Sequence, residues 1–245
     1  MKKLVFPSDW QRVEWHGFTR YNFTFEGCNA FIVEPKYPAG DGRWSWCTVW
    51  PEAYVRRVGI EHLLEHGFYH AHVDAFAYRA NPDGIRVMKA FHDKLVEMGL
   101  SPKANLIGMS WGGFFSLRYA ETHPQDVAAL YLDAPVCNAA SNSNLNIQEQ
   151  IEQAFGMTRA ELAVSKLNPL NNVEALLSGG FPMMAELGTC DESVDIDENF
   201  NKLEARIIEL GGSIVAEKRN YWGHHPHGVD DPERLLAFHC NARNV

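Results

Sequence analysis

Hydrophobic and polar positions along the chain alternate between the period of strands and the period of helices. Short apolar or alternating segments between turn-forming residues predict strands at 18–25, 29–33, 44–48, 68–74, 104–109, 127–133, 181–187 and 213–218. Longer segments with one apolar face predict helices at 53–66, 82–99, 111–123, 198–210 and 232–241. We expect the first two strands to be antiparallel. The helices between later strands indicate a mostly parallel sheet with helices on both faces, an α/β fold.

The alternation is interrupted once, between residues 138 and 180. This segment is rich in Asn, Ser, Gln and Leu, and it carries two short helix signals. The second helix signal opens with Thr158-Arg159-Ala160-Glu161, which fits a capping box. Because the segment is too short to hold its own core, we expect a single domain over residues 1–245 with a small helical lid at about 138–180.

Composition and charge exclude several classes of protein. The net charge is −9 with no basic run, which argues against a nucleic-acid partner. No apolar stretch approaches the roughly 18 residues that span a bilayer, so we expect no membrane segment. Pro7 and Asp9 end the first apolar run too early for a signal peptide, so the chain is expected to be cytoplasmic, although a trimmed exported protein would look the same. The five scattered cysteines are typical of buried thiols.

The sequence Gly-Met-Ser-Trp-Gly at 108–112 is the most informative motif, because it lies where a predicted strand meets a predicted helix. A turn this sharp lifts the central hydroxyl clear of the sheet. The helix that follows directs its first amides, including that of Trp111, at a developing oxyanion. Ser110 is therefore the candidate nucleophile; the alternative is a serine that only caps the helix.

A serine nucleophile needs a base that is oriented by an acid, and on such a sheet both come from the ends of later strands. Asp191 follows the strand at 181–187, and His224 follows the strand at 213–218. The order Ser, Asp, His is the one required, so we predict Asp191 as the acid and His224 as the base.

Other residues near these positions compete for the same roles. Asp133 and Asp195 are the alternative acids, and His225 is the alternative base. His227 is more typical of a residue at the rim of a site. The histidines could instead bind zinc, but no cysteine or carboxylate motif of matching spacing accompanies them, so we expect no metal.

The second amide of an oxyanion hole is expected in the loop after the third strand, at residues 47–50. Thr48 and Trp50, with Trp111, are therefore candidate oxyanion or substrate-binding residues. Trp50, Tyr54 and Trp111 are suited to an aromatic wall that stacks on a sugar ring. Ordinary packing around a tight turn accounts for them equally well.

The elbow, the acid turn G-x-x-D-x-x-V at 188–194 and the pair Gly223-His224 together resemble the α/β-hydrolase superfamily, from about residue 29 to the C-terminus. The resemblance implies the α/β-hydrolase fold and a triad of Ser110, His224 and Asp191 that forms and hydrolyses an acyl-enzyme. No cofactor is needed for this chemistry.

A narrower resemblance rests on Trp44-x-Trp46, the Gly-Gly after the elbow and the run Gly-His-His-Pro-His-Gly. These features are similar to a group of bacterial hydrolases that remove ester groups from polysaccharides, including pectin-type methyl esters. One departure is Asp195, because the superfamily often has proline there.

The sequence thus predicts a serine hydrolase that cleaves a small-molecule or saccharide ester, with homo-oligomerisation left open. A serine peptidase of the prolyl-oligopeptidase type is the enzymatic alternative, because its elbows also carry an aromatic residue followed by Gly-Gly. A non-catalytic binding protein on the same fold is the third hypothesis.

Overall fold

A nine-stranded sheet runs through the middle of the computed structural model, which describes residues 4–242. The two ends of the expected domain 1–245 therefore lie outside the described residues. The strands are β1 (Gln11–Trp15), β2 (Phe18–Phe25), β3 (Cys28–Glu34), β4 (Trp44–Cys47), β5 (Tyr69–Val73), β6 (Ala104–Met109), β7 (Val127–Asp133), β8 (Met183–Gly188) and β9 (Val215–Arg219). Across the sheet they are ordered β1-β2-β3-β5-β4-β6-β7-β8-β9.

The sheet is antiparallel at one side and parallel elsewhere. Strands β1, β2 and β3 pair antiparallel, and β3 is antiparallel to β5. Every adjacent pair from β5 to β9 is parallel. The expectation of a mostly parallel sheet with two early antiparallel strands is thus confirmed. The edge strand β1 was not predicted, because its sequence, QRVEW, is mostly polar and exposed.

Helices cover both faces of the sheet, as expected. They are α1 (Ile60–Glu65), α2 (Pro82–Met98), α3 (Trp111–Thr122), α4 (Leu145–Phe155), α5 (Arg159–Val164), α6 (Val173–Leu177), α7 (Phe200–Glu209) and α8 (Glu233–Cys240). Buried side chains of α2, α3 and α7 join one apolar core, and those of α1 and α8 join a second. Within residues 4–242, no helix has the length and apolar character that crossing a membrane requires.

Two expectations about local structure are wrong. The helix predicted at 53–66 is helical only from Ile60 to Glu65, because Tyr54 and Gly59 have φ angles of 52° and 82°, which an α-helix does not accommodate. The expectation of buried thiols also fails for two cysteines, since Cys190 and Cys240 are exposed.

The segment between β7 and β8 holds α4, α5 and α6, one helix more than its sequence signals suggested. The capping box at Thr158 is confirmed, because its side chain accepts from the amide of Glu161 and the Glu161 carboxylate accepts from the amide of Thr158. Apolar residues of all three helices are buried in the larger core, among them Ile151, Leu162 and Val173. The segment is therefore packed against the sheet's covering helices.

The parallel strands determine where polar side chains meet. The carboxyl ends of β4, β6, β7, β8 and β9 all lie at one edge of the sheet, and ligands bind outside this edge in open α/β sheets. The loops that follow these strands carry the residues singled out from the sequence.

Candidate active site

Ser110 occupies the sharp turn between β6 and α3. Its φ and ψ angles are 50° and −118°, a conformation that non-glycine residues rarely adopt and that marks a strained position. The turn closes tightly, because a Cβ atom on Gly108 would lie 2.7 Å from the carbonyl oxygen of Gly112, and one on Gly113 would lie 2.3 Å from the Cβ of Pro135. Glycine is therefore required where the strand, the helix and the neighbouring loop approach each other.

His224 lies between Ser110 and Asp191. Its Nε2 atom is 3.0 Å from the Ser110 hydroxyl oxygen, and its Nδ1 atom is 2.7 Å from a carboxylate oxygen of Asp191. The other Asp191 oxygen accepts from the amides of Ser193 and Val194, each at 2.8 Å. These contacts fix the carboxylate so that Nδ1 of His224 carries a proton and Nε2 faces the serine as an acceptor.

The electrostatics of the site favour an ionised Asp191. Burial raises the pKa of this carboxyl group, but the hydrogen bonds from His224 and from the amides of Val194 and Ser193 outweigh it, so the pKa lies below its usual 3.8. A charged carboxylate can stabilise an imidazolium at His224 whenever that ring takes a proton.

The alternative acids have other partners. Asp133 accepts from His227 Nδ1 at 2.5 Å, from the amide of Gly228 at 2.7 Å and from the hydroxyl of Tyr131 at 2.7 Å. Asp195 caps a turn by accepting from the amides of residues 197 and 198. The structure therefore brings Asp191 to His224 and directs Asp133 to a different histidine.

The alternative base, His225, is exposed at the outer side of the same loop. Its ring stacks on that of Tyr54, with centroids 5.9 Å apart and planes at 19°. Burial lowers the pKa of His225, and the neighbouring His227 and His224 lower it further. His224, and not His225, is within hydrogen-bonding distance of the Ser110 hydroxyl.

The loop after β4 lies against the first turn of α3. The amide of Thr48 donates to the carbonyl of Ile107 at 3.2 Å, and its hydroxyl donates to the carbonyl of Gly112 at 2.9 Å, so Thr48 is used in holding the loop. The amide nitrogen of Val49 would lie 3.5 Å from a Cβ atom on Gly112. Val49 is therefore the residue of this loop whose main chain is placed beside the elbow, a role that the sequence alone did not single out.

Trp50 has a left-handed backbone conformation with a φ angle of 61°. The residue is 45% exposed, and the centroid of its ring lies 5.1 Å from that of Phe76. The two residues line a cavity of about 520 Å³ at the same edge of the sheet. Trp111 lines the cavity at the serine instead, so the aromatic wall expected from Trp50, Tyr54 and Trp111 is not a single surface.

A cavity of about 660 Å³ opens beside Ser110 between the acid turn and the start of the inserted segment. Its polar lining residues are Ser110, Ser141, Asn142, Ser143, Asn144, Asp191, Glu192, Ser193, Asp195, Glu198, Asn199 and His224. Neither lysine nor arginine is among these described residues. The cavity therefore offers many hydrogen bonds and a negative potential to whatever approaches the serine.

Three histidines of one loop lie close enough together for their ring nitrogens to bind one metal ion. Within residues 4–242, ring nitrogens of His224, His225 and His227 lie within 4.8 Å of one another. Both nitrogens of His224, however, already face Ser110 and Asp191. The residues present are therefore arranged for proton transfer at His224, and a metal there would displace the serine from its ring.

Asn199 is a site residue that sequence reasoning missed. The residue is 3% exposed, and its side-chain oxygen Oδ1 accepts from the main-chain amides of Cys137 and Asn138 at 2.9 and 3.1 Å. Its side-chain nitrogen Nδ2 donates to the main-chain carbonyl of Asp195 at 2.9 Å. Asn199 thus connects the start of the inserted segment to the acid turn. No local sequence pattern marks an asparagine that acts through such distant partners.

Comparison with known proteins agrees with the fold. The family model for the alpha/beta hydrolase fold matches residues 26–187. Curated protein sequences give no match.

Solved structures of similar fold include two peptidases and an S-formylglutathione hydrolase. A puromycin-hydrolysing peptidase of Mycobacterium tuberculosis is 15% identical with a TM-score of 0.69 over 86% of this chain and 36% of its own. The acylaminoacyl peptidase of Pyrococcus horikoshii is 14% identical with a TM-score of 0.64 over 84% and 38%. The S-formylglutathione hydrolase of Agrobacterium tumefaciens is 15% identical with a TM-score of 0.62 over 94% of both chains.

The three matches differ in how much of the matched protein this chain covers. The chain spans a little over a third of the length of the two peptidases, whereas it covers nearly all of the S-formylglutathione hydrolase. At such low identities the similarity concerns the fold, and the chemistry has to be argued from the site.

Proposed function

The chain belongs to the α/β-hydrolase fold family, and on this premise we propose that it is a serine hydrolase that cleaves a carboxylic ester. One observation carries the proposal: His224 is hydrogen-bonded to Ser110 through one ring nitrogen and to Asp191 through the other. A binding protein on the same fold would not need a strained serine with an oriented base and acid.

The proposed reaction begins at the Ser110 hydroxyl. Its oxygen attacks the ester carbonyl carbon while His224 Nε2 takes the hydroxyl proton, and Asp191 stabilises the imidazolium that results. The amides of Trp111 and Val49 are proposed to bind the oxyanion of the tetrahedral intermediate, because both lie where α3 begins.

The reaction then proceeds through an acyl-enzyme, which forms in a first stage and is hydrolysed in a second. His224 returns its proton to the leaving alcohol, which departs and leaves an acyl group on Ser110. A water molecule, deprotonated by His224, attacks the acyl carbon, and the carboxylic acid leaves as the serine regains its proton. All proton transfers pass through Nε2, the atom that faces the serine at 3.0 Å.

The substrate proposed is an ester that carries polar, uncharged groups, such as an esterified sugar. Serine and asparagine side chains along the cavity can bind hydroxyl groups, and its carboxylates disfavour an anionic ligand. The same negative potential would help expel the carboxylate product. The sequence resemblance to polysaccharide-deesterifying hydrolases supports this substrate class.

A serine peptidase is the second candidate function. It is favoured by the two peptidases among the structures of similar fold and by the acidic cavity, which suits a substrate amine. The same triad would act on an amide, with His224 protonating a poorer leaving group. The ester is preferred because the S-formylglutathione hydrolase, which is named for a thioester and not for an amide, shares nearly the full length of this chain.

A substrate panel separates these functions. Acetylated sugars, uronate methyl esters, small aryl esters and aminoacyl anilides are assayed with wild type and Ser110→Ala. The substitution should lower kcat by at least about 10⁴-fold for every true substrate. Activity that survives it would remove Ser110 as the nucleophile, and anilides cleaved faster than all esters would establish the peptidase.

A paired substitution tests the base. His224→Ala should cost several orders of magnitude in kcat, whereas His225→Ala should retain most of the wild-type rate, because only His224 contacts Ser110. Equal losses in the two variants would contradict the assignment.

A further inference from the structure

A second carboxylate–imidazole pair lies beside the proposed triad. Nδ1 of His227 donates to Asp133 at 2.5 Å, and the two residues are 3% and 4% exposed. The second oxygen of Asp133 accepts from the hydroxyl of Tyr131 and from the amide of Gly228, each at 2.7 Å. None of the proposed hydrolytic steps uses this pair, although its polar groups are buried and bonded.

Asp133 is hydrogen-bonded both to Ser110 and to the loop that carries His224. Its main-chain carbonyl accepts from the amide of Ser110 at 2.9 Å, at the point where β7 runs beside β6. Its side chain holds His227 and Gly228, in the loop that carries His224. One residue thus connects the strained serine to the loop that must present the base.

The histidine loop has no regular secondary structure between β9 and α8, so its position depends on individual contacts, among them the main-chain bond from the amide of Cys190 to the carbonyl of Trp222. Besides Asp133, two arginines hold it: Arg57 donates to the carbonyl of His227 at 2.9 Å, and Arg219 donates to that of Gly228 at 3.0 Å. Both arginines donate to main-chain oxygens of the loop. Asp133 is the contact that reaches the loop from the end of a buried strand.

The ring of His227 contacts the ring of His224, so the position of His227 affects that of His224. The imidazole of His227 lies 4.9 Å from that of His224, centroid to centroid, with planes at 80°. The two rings therefore pack edge to face. His225 packs on both rings in the same manner, with centroids 4.8 Å from each. Of these two neighbours of His224, His227 is the one bonded to a buried strand, through Asp133.

We infer that Asp133 and His227 are positioning residues for the proposed hydrolysis, which hold His224 at hydrogen-bonding distance from Ser110. The inference rests on the proposed function. A displacement of about 1 Å at a reacting group can lower a rate by about 100-fold, so losing this pair should cost far more in kcat than in KM. The cavity beside Ser110, where the substrate is proposed to bind, is lined by His224 but by neither Asp133 nor His227.

Two substitutions of His227 test the pair. His227→Ala removes the ring and its donor, whereas His227→Asn keeps an N–H group close to the position of Nδ1. We expect His227→Ala to lower kcat by about 10- to 100-fold with little change in KM, and His227→Asn to recover most of the loss. Each rate is divided by the concentration of active serines, titrated with a fluorophosphonate, so that unfolded protein does not count.

His70→Ala is the matched control. His70 is fully buried, hydrogen-bonded to Ser45 at 2.9 Å, and lies on β5, away from the histidine loop. The His70→Ala substitution should lower the free energy of unfolding while leaving kcat per active serine unchanged. Equal losses of kcat in His70→Ala and His227→Ala would mean that His227 serves only the stability of the fold, and would overturn the inference.

A spectroscopic measurement separates this inference from the proposed function. In a Ser110→Ala background, the proton on His224 Nδ1 should give a low-field resonance because Asp191 accepts it at 2.7 Å. Adding His227→Ala should broaden or remove that resonance, and adding His70→Ala should not. An unchanged resonance would overturn the positioning role, whereas hydrolysis by Ser110→Ala would contradict only the proposed function.

Discussion

Gly188, the last residue of β8, lies directly against the main chain of Trp222. A Cβ atom on Gly188 would be 2.3 Å from the carbonyl oxygen of Trp222 and 2.4 Å from that of Gly223. The same carbonyl of Trp222 accepts from the amide of Cys190 at 2.8 Å. The acid turn and the histidine turn therefore touch through their backbones, which places Asp191 next to His224.

Gly188→Ala should disturb this contact. The added methyl group would push the histidine turn away from β8, with a loss of about 1–3 kcal/mol in the free energy of unfolding and a fall in kcat. Urea denaturation and ester hydrolysis measure the two effects. Gly40→Ala is the control, because a Cβ atom there meets nothing within 4 Å. A Gly188→Ala enzyme with wild-type kcat would show that the turns can separate without harm.

Asn199→Ala should loosen the inserted segment. The substitution leaves the amides of Cys137 and Asn138 without their acceptor, so we expect a loss of about 1–3 kcal/mol in the free energy of unfolding. Because Asn199 also lines the cavity at the serine, KM should rise. Asn201→Ala, two residues further on in α7, removes a bond to Asp197 and should change KM little. Equal KM values in the two variants would contradict the role of Asn199.

Tyr131→Phe tests the network around Asp133 from its far side. The substitution removes the hydroxyl that donates to Asp133 at 2.7 Å and should lower both stability and kcat. Tyr119→Phe removes a comparable buried bond, from its hydroxyl to Asp126 at 3.1 Å, and should lower stability alone. Thermal unfolding and kcat per active serine compare the two. A wild-type kcat in Tyr131→Phe would show that this bond does not help position the loop.

Acid should destabilise the fold through buried histidines. Burial lowers the pKa of His239 from 6.5 to about 3, so the folded protein keeps this ring neutral where the unfolded chain protonates it. The stabilisation is present above pH 6.5 and is lost as the pH falls from 6.5 towards 3, by up to about 1.4 kcal/mol per pH unit. His70 behaves in the same way for the same reason.

His239→Gln isolates one of these groups. Its free energy of unfolding, measured by urea denaturation between pH 7 and pH 4, should fall less steeply than that of wild type. His16→Gln, which replaces a partly exposed histidine, is the control. Parallel curves for wild type and His239→Gln would contradict the low pKa of His239.

Much of the fold followed from local pattern, and the exceptions have physical causes. Helix α2 was predicted almost to the residue, because Asn81 caps its start and Gly99 ends it with a φ angle of 112°. Strand β1 was missed because four of its five residues are exposed or only partly buried and the strand is paired with β2 at the sheet edge, so it lacks an alternating apolar pattern. The helix predicted at 53–66 failed for residues 53–59, where the chain turns around the site.

The sequence by itself determined the order of the chemistry: a serine on an elbow, then an acid and a histidine after successive strands. Local hydrogen bonding and strand–helix alternation act over short distances, so a linear pattern records them. Only the tertiary structure decided which acid faces which histidine. Asp133 ends β7 and Asp191 follows the neighbouring parallel strand β8, yet the loop after β9 brings His227 to Asp133 and His224 to Asp191. That pairing depends on contacts between residues far apart in the chain, which no local pattern encodes.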